Sequence, residues 1–104
     1  MGLTVYWTQF AEEKLEDIFE YYSIKASSRV AHKLIQGIIS QSTKLEKNPF
    51  IGQKELLLID RPQEFRYLVY KNYKIVYWIN VVKSRIEIVN IFDCRQNPEE
   101  IVKI

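Results

Sequence analysis

Between residues 61 and 95 the chain gathers side chains suited to phosphate chemistry. Seven cations fall there (Arg61, Arg66, Lys71, Lys74, Lys83, Arg85 and Arg95) against three carboxylates (Glu64, Glu87 and Asp93). Tyr67, Tyr70, Tyr73, Tyr77 and Trp78 are interleaved with them. Ammonium and guanidinium groups neutralise phosphate oxygens, and aromatic rings offer faces on which bases stack. Lysines on the solvent face of a sheet also discourage edge pairing, so the pattern alone leaves both readings open. Residues 1–50 carry six basic and six acidic side chains, which cancel, and the whole chain has a net charge of only +2. The asymmetry between the halves is therefore more informative than the total.

Other chemistries lack their components. Cys94 is the single cysteine of the 104 residues, which excludes an internal disulfide and a cysteine-rich zinc site. No metal and no cofactor is expected. His32 is the single histidine and falls in a helical stretch, where a solvent-facing position is expected. The sequence has no basic segment followed by an apolar run at its start and no stretch of about 18 apolar residues. The expectation is a cytoplasmic chain with neither a secretion signal nor a membrane span.

The elements that must position these residues are legible from periodicity. Leu3 to Trp7 is β-branched and aromatic and predicts a strand. Thr8 is placed to cap a helix carrying Ala11, Leu15, Ile18 and Tyr22 at helical spacing and ending near Ser23. Ser27 and Ser28 offer a second cap, before a stripe of Ala31, Leu34, Ile35, Ile38, Ile39 and Leu45. Gly37 and Ser42 leave room for a close neighbour. Asn48-Pro49 and Gly52 end that helix, since proline breaks the hydrogen-bond ladder. Leu56 to Ile59 is a short apolar run, expected to belong to the sheet. Arg66 to Tyr70, Tyr73 to Ile79 and Arg85 to Phe92 predict three strands joined by turns at Lys71-Asn72 and Asn80 to Ser84, hence antiparallel. The whole, residues 1–104, reads as one α+β domain: a helical hairpin on one face of a twisted antiparallel sheet, with the other face free for function.

The order of these pieces resembles the RelE/ParE toxins. The resemblance is carried by Arg66-Tyr67-Leu68-Val69, Tyr73 through Trp78, Ile86-Glu87-Ile88-Val89 and Arg95-Gln96-Asn97-Pro98. The stripe of the first helix, Leu45, Asn48-Pro49 and Gly52 agree with it. It covers nearly the whole chain. It implies a β-α-α-β-β-β fold, a cognate antitoxin as partner, and a heterotetramer with that antitoxin as an assembly open to the pair. RelE-like members cut messenger RNA on the ribosome, whereas ParE-like members poison DNA gyrase, and the shared scaffold does not choose between them.

By the same resemblance Arg95 matches a basic residue at the end of the last strand, Lys74 a position that is arginine in many nuclease members, and Arg66 a basic residue frequent in ParE-like members. These three are the candidates for phosphate binding and charge stabilisation, with Arg66 equally open to a role as an anchor at the sheet edge. Nuclease members place histidine or tyrosine two or three residues beyond the arginine matched by Arg95. Here those positions hold Asn97 and Pro98, which cannot transfer a proton. Tyr77, with Tyr70 and Glu64 behind it, is the remaining candidate for proton transfer. The sequence supports phosphate binding better than cleavage. A two-residue turn at Lys71-Asn72 would pair Tyr70 with Tyr73 and place Arg66 beside Tyr77, with Lys74 on the opposite face beside Val76 and Trp78. A three-residue loop would bring Arg66 and Lys74 together instead.

Overall fold

A computed structural model describes residues 2–104. Strand β1 (Thr4–Trp7) leads into helix α1 (Gln9–Lys25) and helix α2 (Ser28–Thr43). Strands β2 (Gln53–Lys54), β3 (Arg66–Tyr70), β4 (Tyr73–Asn80) and β5 (Arg85–Asp93) follow. Both expected caps form. The Thr8 side chain accepts from the Ala11 N–H at 3.2 Å, and that of Ser27 from the Val30 N–H at 3.1 Å. Each is a contact typically worth about 1 kcal/mol. Thr8 also donates its hydroxyl to the Ile88 carbonyl at 3.1 Å, which ties the start of α1 to β5.

The sheet runs β1-β5-β4-β3-β2. It is mixed rather than wholly antiparallel, because β1 pairs parallel to β5 from Thr4 opposite Arg85 to Trp7 opposite Ile88. The helical hairpin carries the chain from β1 across the sheet, so the last strand of the meander returns beside β1 in the same direction. The α+β class stands, and the β-α-α-β-β-β order gains one strand after the helices, the two-residue β2. The meander has the register of a two-residue turn: Tyr70 opposes Tyr73 and Arg66 opposes Tyr77. Lys71 occupies the left-handed region in this turn, with φ 53°. On β5, Asn90 pairs with Val76 and Ile88 with Tyr77. Val89 is the extra residue of a bulge that reorients the last part of the strand.

Ala11, Ile18, Leu34, Ile38 and Leu45 pack against Tyr73, Ile75, Tyr77, Ile86, Ile88 and Ile91, which form the helix-facing side of the sheet. The opposite face is not free as expected. Val76 and Phe92 are covered there by Leu58, Phe65 and Ile101, with Tyr67, Trp78, Val89 and Ile104 around them. Two short 3₁₀ turns supply the cover, Leu56–Leu58 and Pro98–Val102. Leu56 to Ile59 is thus not a strand: the pairing residues are Gln53 and Lys54, just before it. A strand would alternate its apolar residues, but here Leu58 is buried while Leu56 and Ile59 face solvent, the one-sided anchoring of a turn. The first helix continues two residues past Ser23, to Lys25. Among the described residues no helix is long and apolar enough to cross a membrane.

Candidate functional site

Arg66 and Tyr77 converge on one loop. The Arg66 guanidinium donates to the Gly52 carbonyl at 2.8 Å and the Phe50 carbonyl at 3.4 Å, and stacks on the Phe50 ring at 5.1 Å. Its other arm pairs with Glu64 at 3.0 Å. The Tyr77 side chain is 0% exposed. Its hydroxyl donates to the Pro49 carbonyl at 2.7 Å and accepts from the Gly52 N–H at 3.0 Å. Burial pushes this phenol above its ordinary pKa. A hydroxyl whose donor and acceptor sides are both engaged within the fold is poorly placed to exchange a proton with a substrate.

Lys74 points to the opposite face. Its ammonium lies 2.8 Å from the Glu55 carboxylate and 4.2 Å above the Tyr67 ring. Glu55 is only 4% exposed and also accepts from the Leu57 N–H at 3.2 Å, so it joins the 3₁₀ turn to β4. Arg95 lies past the end of β5. Its side chain grips Asp93 with two N–H groups, at 3.0 and 2.8 Å, and its backbone N–H meets the same carboxylate at 2.9 Å. This fork holds the Asp93 carboxyl down at about 2 and raises the pKa of Arg95 in turn. The Arg95 side chain is 58% exposed and lines a cleft of about 360 Å³ with Lys14, Asp17, Tyr21, Tyr73 and Asp93.

The structure therefore brings Arg66 and Tyr77 together but does not bring Arg66, Lys74 and Arg95 into a common concavity. They lie at the start of β3, on the far face of β4 and past the end of β5, and each has a carboxylate partner. Tyr70 lies over Gly37 of α2, where a Cβ would fall on its ring. Glu64 bridges Lys54 and Arg66 and is held below its ordinary pKa, chiefly by the hydrogen bond from Lys54. His32 is exposed, as expected, with its ring edge-on to Phe19 at 4.8 Å. Sequence reasoning missed Glu55, the carboxylate that fixes Lys74. For the pairing of Arg95 with Asp93 a local signal existed, since Asp two residues before Arg readily closes a side-chain loop onto the backbone. Glu55 gave none, because its partner is 19 residues away.

Two amphipathic helices on one side of a five-stranded mixed sheet, with β1 returned beside β5, define the scaffold of the RelE/ParE toxins. The family model described as "ParE toxin of type II toxin-antitoxin system, parDE" matches residues 5–98, and the chain belongs to that family. A solved structure titled "Chromosomal ParDE TA system from P. aeruginosa" is similar, with a TM-score of 0.72 and 20% identity. The match covers 88% of this chain and 95% of that one. No curated protein matches significantly.

Proposed function

We propose that this chain is a ParE-like toxin that acts by binding DNA gyrase and stalling it, and not by cutting messenger RNA. The observation that carries this reading is the dispersal of the cations. Cleavage by 2′-OH attack needs a base, an acid and cations focused on one phosphate. Here each candidate cation is paired with a different carboxylate on a different part of the fold. The proton-transfer candidate is sealed behind Pro49 and Gly52. A stoichiometric poison needs only a stable surface that fits its target.

In this reading Arg66, Lys74 and Tyr77 maintain the architecture, and Arg95 is the one predicted residue available for contact with the target. A cognate antitoxin restrains the chain in the cell, as the family membership supports. The test is inducible expression with and without the antitoxin. Stalled gyrase–DNA complexes and a DNA-damage response, with transcripts intact, are expected. Messenger RNA cut at translated codons, together with supercoiling unaffected by saturating protein, would reverse the assignment in favour of a RelE-like nuclease.

A further inference from the structure

A cleft of about 320 Å³ opens where the α1–α2 hairpin meets the β3–β4 turn. Tyr22 of α1, Val30, Lys33 and Leu34 of α2, and Tyr70 and Lys71 at the turn line it. That volume falls in the range of small-ligand sites, near its lower end. No carboxylate lines this cleft, whereas Asp17 and Asp93 line the one beside Arg95, and Glu12, Glu16 and Glu20 line the groove between the helices. Lys33 and Lys71 are in none of the ion pairs of the described residues, in contrast to Arg66, Lys74 and Arg95.

Lys71 is held here against its own backbone preference. It is the first residue of a two-residue turn and has φ 53°, a left-handed value that glycine adopts at lower cost. Strain of this kind gathers at ligand sites. The Lys71 ammonium lies 5.6 Å from the centroid of the Tyr70 ring. That ring is clamped on α2, since a Cβ at Gly37 would overlap it. Tyr22 is set edge-on to Tyr21, with ring centroids 5.0 Å apart. Both aromatic walls are therefore in position before a ligand arrives, which lowers the cost of binding one.

We propose that this cleft binds a free nucleoside monophosphate. The base lies against Tyr22 and Tyr70 beside Val30 and Leu34, and the phosphate sits with Lys33 and Lys71. Two ammonium groups without a carboxylate suit a doubly charged anion, and aromatic rings next to apolar side chains suit a flat base. The cleft is separate from the Arg95 surface, so the proposal holds whichever target the chain acts on. Because the cleft spans both helices and the turn, an occupant braces the hairpin on the sheet and raises the unfolding midpoint.

The intact chain is titrated with adenosine 5′-monophosphate while amide proton–nitrogen spectra are recorded. Saturable shifts are expected at residues 30–34 and 70–72, with a Kd below about 1 mM. Ribose 5-phosphate and adenosine each lack one half of the ligand and should bind at least about tenfold more weakly. Lys71→Gly removes the cation and relieves the backbone, so it should weaken the nucleotide about tenfold without lowering the unfolding midpoint. Lys33→Gln, at an exposed helix position, should weaken it likewise and carries the test if the glycine variant is unstable. No saturable shift at about 10 mM, shifts centred on the cleft beside Arg95, a control ligand that binds as well as the nucleotide, or an unchanged affinity in either lysine variant would each overturn the proposal. So would a tetranucleotide with the same 5′-phosphate that binds about tenfold more tightly, which would make the ligand a nucleic-acid strand.

Discussion

Arg66 and Tyr77 oppose each other across β3 and β4 and hold the same four-residue loop, one through the carbonyls of Phe50 and Gly52, the other through the Pro49 carbonyl and the Gly52 N–H. Tyr77→Phe keeps the ring but leaves the Gly52 N–H and Pro49 carbonyl unpaired. The expected cost is about 2 kcal/mol, read from urea unfolding at unchanged m-value. Because both residues serve one loop, Arg66→Ala and Tyr77→Phe should combine to less than their sum. Strict additivity would mean that the two anchors act independently.

The two close approaches of glycine should respond differently to alanine. At Gly52 a Cβ would lie 2.8 Å from the Tyr67 carbonyl oxygen, and backbone cannot move aside cheaply. At Gly37 the obstacle is the far end of the Tyr70 side chain. Gly52→Ala should therefore destabilise strongly whatever the background. In a Tyr70→Ala background, by contrast, Gly37→Ala should raise stability by about 0.5–1 kcal/mol through helix propensity alone. Thermal unfolding of the four variants checks both halves of this contrast.

The Arg95 fork makes Asp93 a source of acid sensitivity. Its carboxyl is held near 2 in the fold against an ordinary 3.8. A lowered folded pKa means stability that is present in full above the unfolded value and lost as pH falls from there through about 2. With Arg95 mostly in solvent, screening limits the effect to about 1 kcal/mol or less. The stability difference between the native chain and Asp93→Asn should be flat above about pH 5 and should shrink toward pH 2. A difference independent of pH over that range would show that the fork contributes through geometry and not through charge.

The elements were largely legible in the sequence because their signals are local. Thr8 and Ser27 cap as their types suggest, and the Lys71-Asn72 turn sets the register that separates Arg66 from Lys74, whereas the second helix stops at Thr43, short of Asn48-Pro49. What was not legible depends on contacts distant in sequence. The parallel pairing of β1 needs knowledge of where the helical hairpin delivers the meander. The cover of the second face needs Leu58 and Ile101, 43 residues apart, to meet over Val76 and Phe92. The cationic surplus was real, but its meaning turned on Glu55, Glu64 and Asp93, whose pairings leave the candidate cations without a common focus.

Lys74 and Arg95 were predicted for one role, and the fold separates them, so their alanine variants should fail in different ways. Lys74 is largely buried against Glu55, a carboxylate only 4% exposed. Removing the lysine strands that charge, and the expected loss is about 3 kcal/mol, with Glu55→Gln in the same chain restoring a large part of it. Arg95 sits in solvent, where its pair is worth little, so Arg95→Ala should unfold close to the native chain. If Arg95 contacts the target, that same variant loses growth inhibition while keeping its stability and its hold on the antitoxin. Lys74→Ala with Glu55→Gln should remain toxic. Unfolding curves set beside growth assays for these variants distinguish a residue that shapes the domain from one that touches its target. A toxic Arg95→Ala would move the target contact to another surface.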